Sequence, residues 1–237
     1  MKMKAIIKRE FKSYFTLPAG YVVLAVLTAA TCYFFTTLFA SGYADLSYVF
    51  SYISIFVLIM VPILTMRLFS EEKMKKTDQL LLTSPVSISS VVLGKFLAAL
   101  MFFSIFLLET LIFNLVYIGF GVSVDWLLYL GNIVGILLYA ASFVSIGIFI
   151  SALTESQVVA AIVSIAINVI ILLFDSIIPS MVDNVYVNKV CEWFAFNQRY
   201  QTFTQGIFSI DNLIFFGSVI SVFIFLTVRI IDRKRWA

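Results

Sequence analysis

Ser70 and Lys73 have the S-x-x-K spacing by which some acyl-enzymes let an amine activate a serine hydroxyl. Such enzymes also need SDN-like and KTG-like elements. The chain has neither, and the pair sits in a strongly charged segment, so the spacing reads as coincidence. Gly94-Lys95 has the tail of a phosphate-binding loop, but Phe96 follows where Ser or Thr is required and Ser89 occupies the place of the earlier glycine. ATP hydrolysis by that route is excluded. The absence of histidine removes Ser-His-Asp chemistry, Cys-His dyads and His-ligated zinc. Cys32 and Cys191 lie in the first apolar run and a late loop, with neither disulfide nor metal spacing, and read as unpaired thiols. Asp45, Asp125, Asp183 and Asp211 fall at span ends or in loops, where solvation accounts for them. An intramembrane aspartyl protease needs two facing aspartates inside spans, and no such pair is evident.

One acidic residue lies deep within an apolar run. Glu109 is about 21 Å along a helix from Lys95 at 1.5 Å per residue. Ionised and unpaired at that depth it would cost on the order of 3 kcal/mol, so it is expected to face other helices or to carry a proton. Two readings stay open, a place in a substrate or proton path, or an interhelical hydrogen bond with Asn114 or Thr110 nearby. Asn168 joins Glu109 and Asn114 as a polar residue of the same two kinds. It stands at four-residue spacing from Ala160 and Ser164, a pattern that permits close helix approach in lipid, as does Gly131-x-x-x-Gly135.

The elements that carry these residues follow from composition. Of 237 residues, 62% are apolar and 12% charged, the latter about half the level of a soluble domain. Several apolar runs reach roughly 20 residues, enough to cross a hydrocarbon core. The expected fold is an all-α integral membrane protein with six spans, at about 21–40, 48–66, 96–119, 127–150, 157–178 and 212–231. Pro62, near the end of the second, is tolerable if a neighbouring helix satisfies the carbonyl it frees. Fourteen of the 16 lysines and arginines fall in the N-terminal segment, the 67–95 loop and the C-terminus, which makes both termini and that loop cytoplasmic. No removable signal peptide is expected, since the first run follows a charged stretch and lacks a cleavage site.

Residues 1–17 place Met3, Ile7, Phe11 and Tyr14 on one stripe and Lys4, Lys8 and Lys12 on the other side. That suits an amphipathic helix in the membrane interface; a basic, frayed terminus is the alternative. The external connection 179–211 is rich in apolar and aromatic residues, from Val185 to Phe203. Short re-entrant helices or an interfacial aromatic belt would each account for it.

The segment Arg67–Lys95, RLFSEEKMKKTDQLLLTSPVSISSVVLGK, is an island of charge in this chain. With FLAAL after it, it resembles the stretch after the second span in permease subunits of the ABC-2 (type 2) exporter family. It is most similar to the gliding-motility-type branch, whose pattern runs roughly R-x-F-[AS]-E-E-(x)-G-T-L-E-L-L-L-T-S-P-V-(x)-G-K, where (x) is a stretch of variable length. The resemblance continues through Gly121–Asp125, Gly147–Ala161, Gly206–Leu213 and Arg233–Trp236, nearly the whole chain in order. Two departures stand out, Lys76-Thr77 for the family's Gly-Thr and Asp78-Gln79 for its Leu-Glu.

The resemblance implies one transmembrane domain, 1–237, with an interfacial helix, six spans, a cytoplasmic coupling helix after span two and external re-entrant helices. It implies an exporter permease without catalytic residues or cofactor of its own, ATP and magnesium belonging to a separate ATPase present in two copies. Further partners are a second permease, the same chain or a paralogue, and in some relatives a membrane subunit with an external domain; no nucleic acid is expected. The coupling residues it implies are Phe69, Glu71, Glu72, Met74, Thr77, Leu80 and Leu81, with Thr154 and Glu155 as a second cytoplasmic contact. Sparse polar groups in the spans point to a hydrophobic or amphipathic cargo. An intramembrane enzyme, or a channel or scaffold that does not transport, is the alternative function.

Overall fold

The structure, a computed structural model, describes residues 2–42, 45–77, 86–176 and 195–236. Its regular structure is all helical, with no strand among the described residues. Helix α1 (Lys2–Thr16) and α2 (Pro18–Ala40) meet at Leu17, which is extended at φ −110° and ψ 144° because Pro18 follows it. Gly20 closes that corner, since a Cβ there would lie 2.1 Å from the Tyr14 carbonyl oxygen. Helix α3 (Leu46–Thr65) starts at Asp45, whose carboxylate accepts from the Ser47 N–H at 2.8 Å, and α4 (Arg67–Met74) continues from it through Met66. Next come α5 (Ile88–Gly119) and α6 (Trp126–Leu153), the second capped by Asp125 accepting from the N–H groups of Leu127 and Leu128. Helices α7 (Gln157–Ser176), α8 (Phe196–Thr204) and α9 (Ile210–Trp236) complete the described chain.

Among the described residues, six helices are long and apolar enough to cross a membrane, namely α2, α3 with α4, α5, α6, α7 and α9. This matches the expected number and positions, with one shift. Helix α5 starts at Ile88, so Lys95 lies inside a helix rather than at the end of a loop, and it is 1% exposed.

Helix α6 is the most enclosed of the six and packs against α3, α4, α5, α7, α8 and α9. Small residues allow this. A Cβ on Gly147 would lie 2.1 Å from Thr65 Oγ1, so α3 passes directly over that glycine. Gly131 and Gly135 receive Phe203, a Cβ on Gly135 falling 2.6 Å from the Phe203 Cβ. The G-x-x-x-G motif therefore seats the short helix α8 rather than another span. Helix α8 is held there by Tyr200, which is fully buried and donates its hydroxyl to the Phe50 carbonyl at 3.0 Å.

The apolar side of helix α1 packs largely on the bundle. Ile6 sits against Gly94 of α5, where a Cβ would come within 2.9 Å, and Tyr14 is fully buried with its ring 4.9 Å from that of Phe102. Much of the stripe packs on protein; Lys4, Lys8 and Lys12 remain exposed. Residues 179–194 of the external connection lie outside the described residues.

Candidate functional site

The charged segments meet at one end of the bundle. Helix α4 leaves the end of α3 and lies on the C-terminal turn of α6, because Ser151 fastens the junction. The Ser151 hydroxyl donates to the Met66 carbonyl at 2.9 Å and accepts from the N–H groups of Phe69 and Ser70 at 3.0 and 3.1 Å. The Phe69 N–H is one of those that the start of α4 leaves without a helical partner. Ser70 donates its hydroxyl to the Met66 carbonyl and Lys73 its ammonium to the Ala152 carbonyl. Both side chains of the S-x-x-K pair thus serve the backbone rather than each other.

Glu72 points inward from α4. Its carboxylate accepts from Lys95 at 2.8 Å and from Arg9 at 3.4 Å, while Glu10 accepts from Arg9 at 2.7 Å and from Lys95 at 3.5 Å. This four-membered cluster ties α4 to α1 and α5. Lys95 also donates to the Leu68 carbonyl and lies 4.9 Å from the centre of the Phe69 ring. A fully buried ammonium needs such partners, since removing one from a buried pair typically costs about 3–5 kcal/mol. Burial alone would raise the Glu10 pKa, but Lys95 and Arg9 beside it hold the carboxyl below its ordinary value.

The expected coupling residues therefore divide. Phe69 is 4% exposed and belongs to the core. Glu71 and Glu72 are half-buried, Glu71 pairing with Lys75 at 2.6 Å. Met74, Thr77 and Glu155 are exposed, and Thr154 half-exposed. The Lys73 bond to Ala152 brings α4 beside the Thr154-Glu155 turn, so the two expected contacts form one surface. Leu80 and Leu81 lie outside the described residues. Sequence reasoning missed Glu10, Arg67 and Ser151. Glu10 carried a signal, as the one acid in a basic helix; Ser151 carried none.

Lys76, which stands where the family pattern has glycine, has φ +54°, in the left-handed region glycine favours. It is the residue past the end of α4, where Thr77 N–H bonds to the Glu72 carbonyl at 2.9 Å and Lys76 N–H to the Lys73 carbonyl at 3.0 Å. That is the Schellman arrangement. The backbone bend survives the loss of the glycine.

The polar residues within the spans also separate. Glu109 accepts a hydrogen bond from the Thr28 hydroxyl of α2, not from Asn114 or Thr110. Thr110 pairs instead with the Tyr129 hydroxyl at 2.8 Å. Asn168 donates to the Leu58 carbonyl at 2.9 Å. Leu58 is four residues before Pro62, so this is the carbonyl that proline leaves without a helical donor. Asn114, 2% exposed, lines a cavity of 210 Å³ at the opposite end of the bundle with Asp45, Tyr117, Asp125 and Asn132. A neighbouring cleft of 540 Å³ is lined by Ser47, Tyr48, Ser51, Gln201, Thr204 and Gln205 among others.

No curated protein matches the sequence. A family profile described as ABC-2 family transporter protein matches residues 3–234. With six apolar helices in a bundle and that profile covering nearly its whole length, the chain belongs to the ABC-2 family and is a multi-pass membrane permease of an ABC transporter.

Proposed function

We propose that this permease is one half of an ATP-driven exporter in the cytoplasmic membrane, with both termini and the α4 surface in the cytoplasm. Energy comes from a separate ATP-binding subunit, two copies serving a pair of permeases. The observation that carries this reading is the convergence of α4 with the α6–α7 turn through the Lys73–Ala152 and Ser151–Met66 bonds, with Met74, Thr77 and Glu155 exposed. Closure of the ATPase pair pushes this surface, and the Glu72–Lys95–Glu10 cluster passes the displacement to α5 and α1. Helix α1 acts as the interfacial helix through Lys4, Lys8 and Lys12. Helix α8 belongs to a re-entrant external segment. Hydrocarbon walls with polar cavities at the outer end suit an amphipathic cargo.

The test uses the exposed residues. Met74→Glu combined with Glu155→Lys is expected to leave insertion and thermal stability intact while abolishing transport-linked ATP turnover by the co-expressed ATP-binding subunit. Unchanged turnover in the double variant rejects the docking surface. Reversing Glu71 and Glu72 is a weaker test, because Glu72→Lys would place a third cation against Arg9 and Lys95 and disturb the fold itself.

A further inference from the structure

We propose that the pocket between α1, α4 and the start of α5 binds a phosphate group at Arg67, and that a membrane phospholipid supplies it. The inference rests on the pocket and not on the exporter reading. Arg67 is 7% exposed, so a guanidinium cation is buried here. Nη2 donates to Ser13 Oγ at 3.0 Å and the group lies 4.9 Å over the Tyr14 ring. Its Nη1 is buried without a partner among the described residues.

The carboxylates nearby pair with other cations, Glu10 and Glu72 with Arg9 and Lys95, and Glu71 with Lys75. Glu72 does so through Oε1 alone, and its Oε2 is buried without a partner among the described residues. None of the described carboxylates comes within 4.0 Å of Arg67. Arg67 is thus the surplus charge of the cluster, buried beside a pocket of 280 Å³ that it lines with Ser13, Leu17, Leu68 and Thr77. A buried cation without a counter-charge is costly, and the guanidinium fork matches phosphate oxygens.

Two features favour a lipid phosphodiester over free phosphate. The same three carboxylates line the pocket, so a monoanion meets less repulsion than the dianion that a phosphate monoester or free phosphate approaches at neutral pH. The pocket also lies where two apolar helices meet polar chain, with Leu17 just before α2 and Arg67 just after α3. Below it, Val23, Leu27, Met60, Leu64 and Phe102 line a wholly apolar seam. The void there is 10 Å³, too small for an acyl chain, so the lipid tails stay in the surrounding bilayer.

The experiment takes the full chain in detergent, stripped of lipid, and titrates it with phosphatidylethanolamine in mixed micelles and, separately, with inorganic phosphate. Bound phosphorus per chain and thermal midpoint are the readouts. The lipid is expected to bind saturably and raise the midpoint, inorganic phosphate to bind at least ~10-fold more weakly, and Arg67→Met to weaken lipid binding by at least ~10-fold. Arg67→Lys retains part of the binding and carries the test if Arg67→Met does not fold; Arg233→Met, at an exposed site on α9, leaves it unchanged. No saturable binding of either probe, or equal binding by the Arg67 variants, overturns the site. Inorganic phosphate binding as tightly as the lipid overturns the lipid assignment. Asp78 follows Thr77 of the pocket and lies outside the described residues; phosphate binding seen only in Asp78→Asn would make Asp78 the occupant and sink the proposal.

Discussion

At the scale of single residues, Lys76 shows how a departure from a family pattern can keep its geometry. The residue past the end of α4 holds φ +54° and completes both Schellman bonds, so the helix stops where a glycine would have stopped it. The left-handed conformation still crowds the lysine Cβ against its own backbone, at a cost of roughly 1–2 kcal/mol. Lys76→Gly is therefore expected to stabilise the protein by about 1 kcal/mol, seen as a rise of a few degrees in the thermal midpoint in detergent. A lowered midpoint would mean that the lysine side chain holds α4 in a way its exposure does not reveal. The pattern identified the position from sequence; only the backbone angle showed that the bend persists.

Between elements, the second span and the fifth are joined through a defect. Pro62 lacks the N–H that would bond to Leu58, and Asn168 of α7 donates to that carbonyl instead. Asn168→Leu is expected to cost about 1 kcal/mol, within the range found for hydrogen bonds between helices in membranes. In a Pro62→Ala background the alanine N–H can take over, so the same substitution should cost less. A double-mutant cycle on thermal stability reads the difference, and strictly additive effects would separate Asn168 from the proline. Sequence reasoning stated the need at Pro62 and marked Asn168 as polar and inward. It could not join them, because the bond spans 110 positions of chain and depends on how α3 and α7 are rotated.

For the whole molecule, one end concentrates charge and makes its stability depend on pH. The Glu10 carboxyl titrates below its ordinary value of 4.5, held there by Lys95 and Arg9 against the opposing effect of burial. A lowered folded-state pKa gives stability that is present above the unfolded value and is lost as pH falls through the folded one. Between neutral pH and about pH 4.5 the Glu10 contribution is therefore constant, and it declines below that. Glu10→Gln should lower the thermal midpoint at pH 7 and flatten its fall on going to pH 3.5. An acid fall as steep as that of the wild type would remove Glu10 from the linkage. Because this cluster joins α1, α4 and α5, acid should loosen α1 and α4 together, which hydrogen exchange over Lys2–Thr16 and Arg67–Met74 would register once corrected for intrinsic rates.

The sequence by itself determined what length and polarity can determine. Six apolar runs, the clustering of basic residues at their ends, the missing histidines and the failed phosphate-binding loop follow from counting and spacing, because a hydrocarbon core constrains each segment separately. The family was legible for a similar reason, since its motif is local and its order runs along the chain. Tertiary structure alone decided which polar groups meet. Glu72 reads from sequence as a coupling-helix acid with no named cation until α5 brings Lys95 beside it. Gly131-x-x-x-Gly135 reads as a helix contact without a named partner until Phe203 fills it. In lipid nearly every face of such helices is apolar, so hydrophobic periodicity does not fix their rotation. What fixes it is a small number of buried hydrogen bonds, ion pairs and close glycine contacts between residues far apart in sequence.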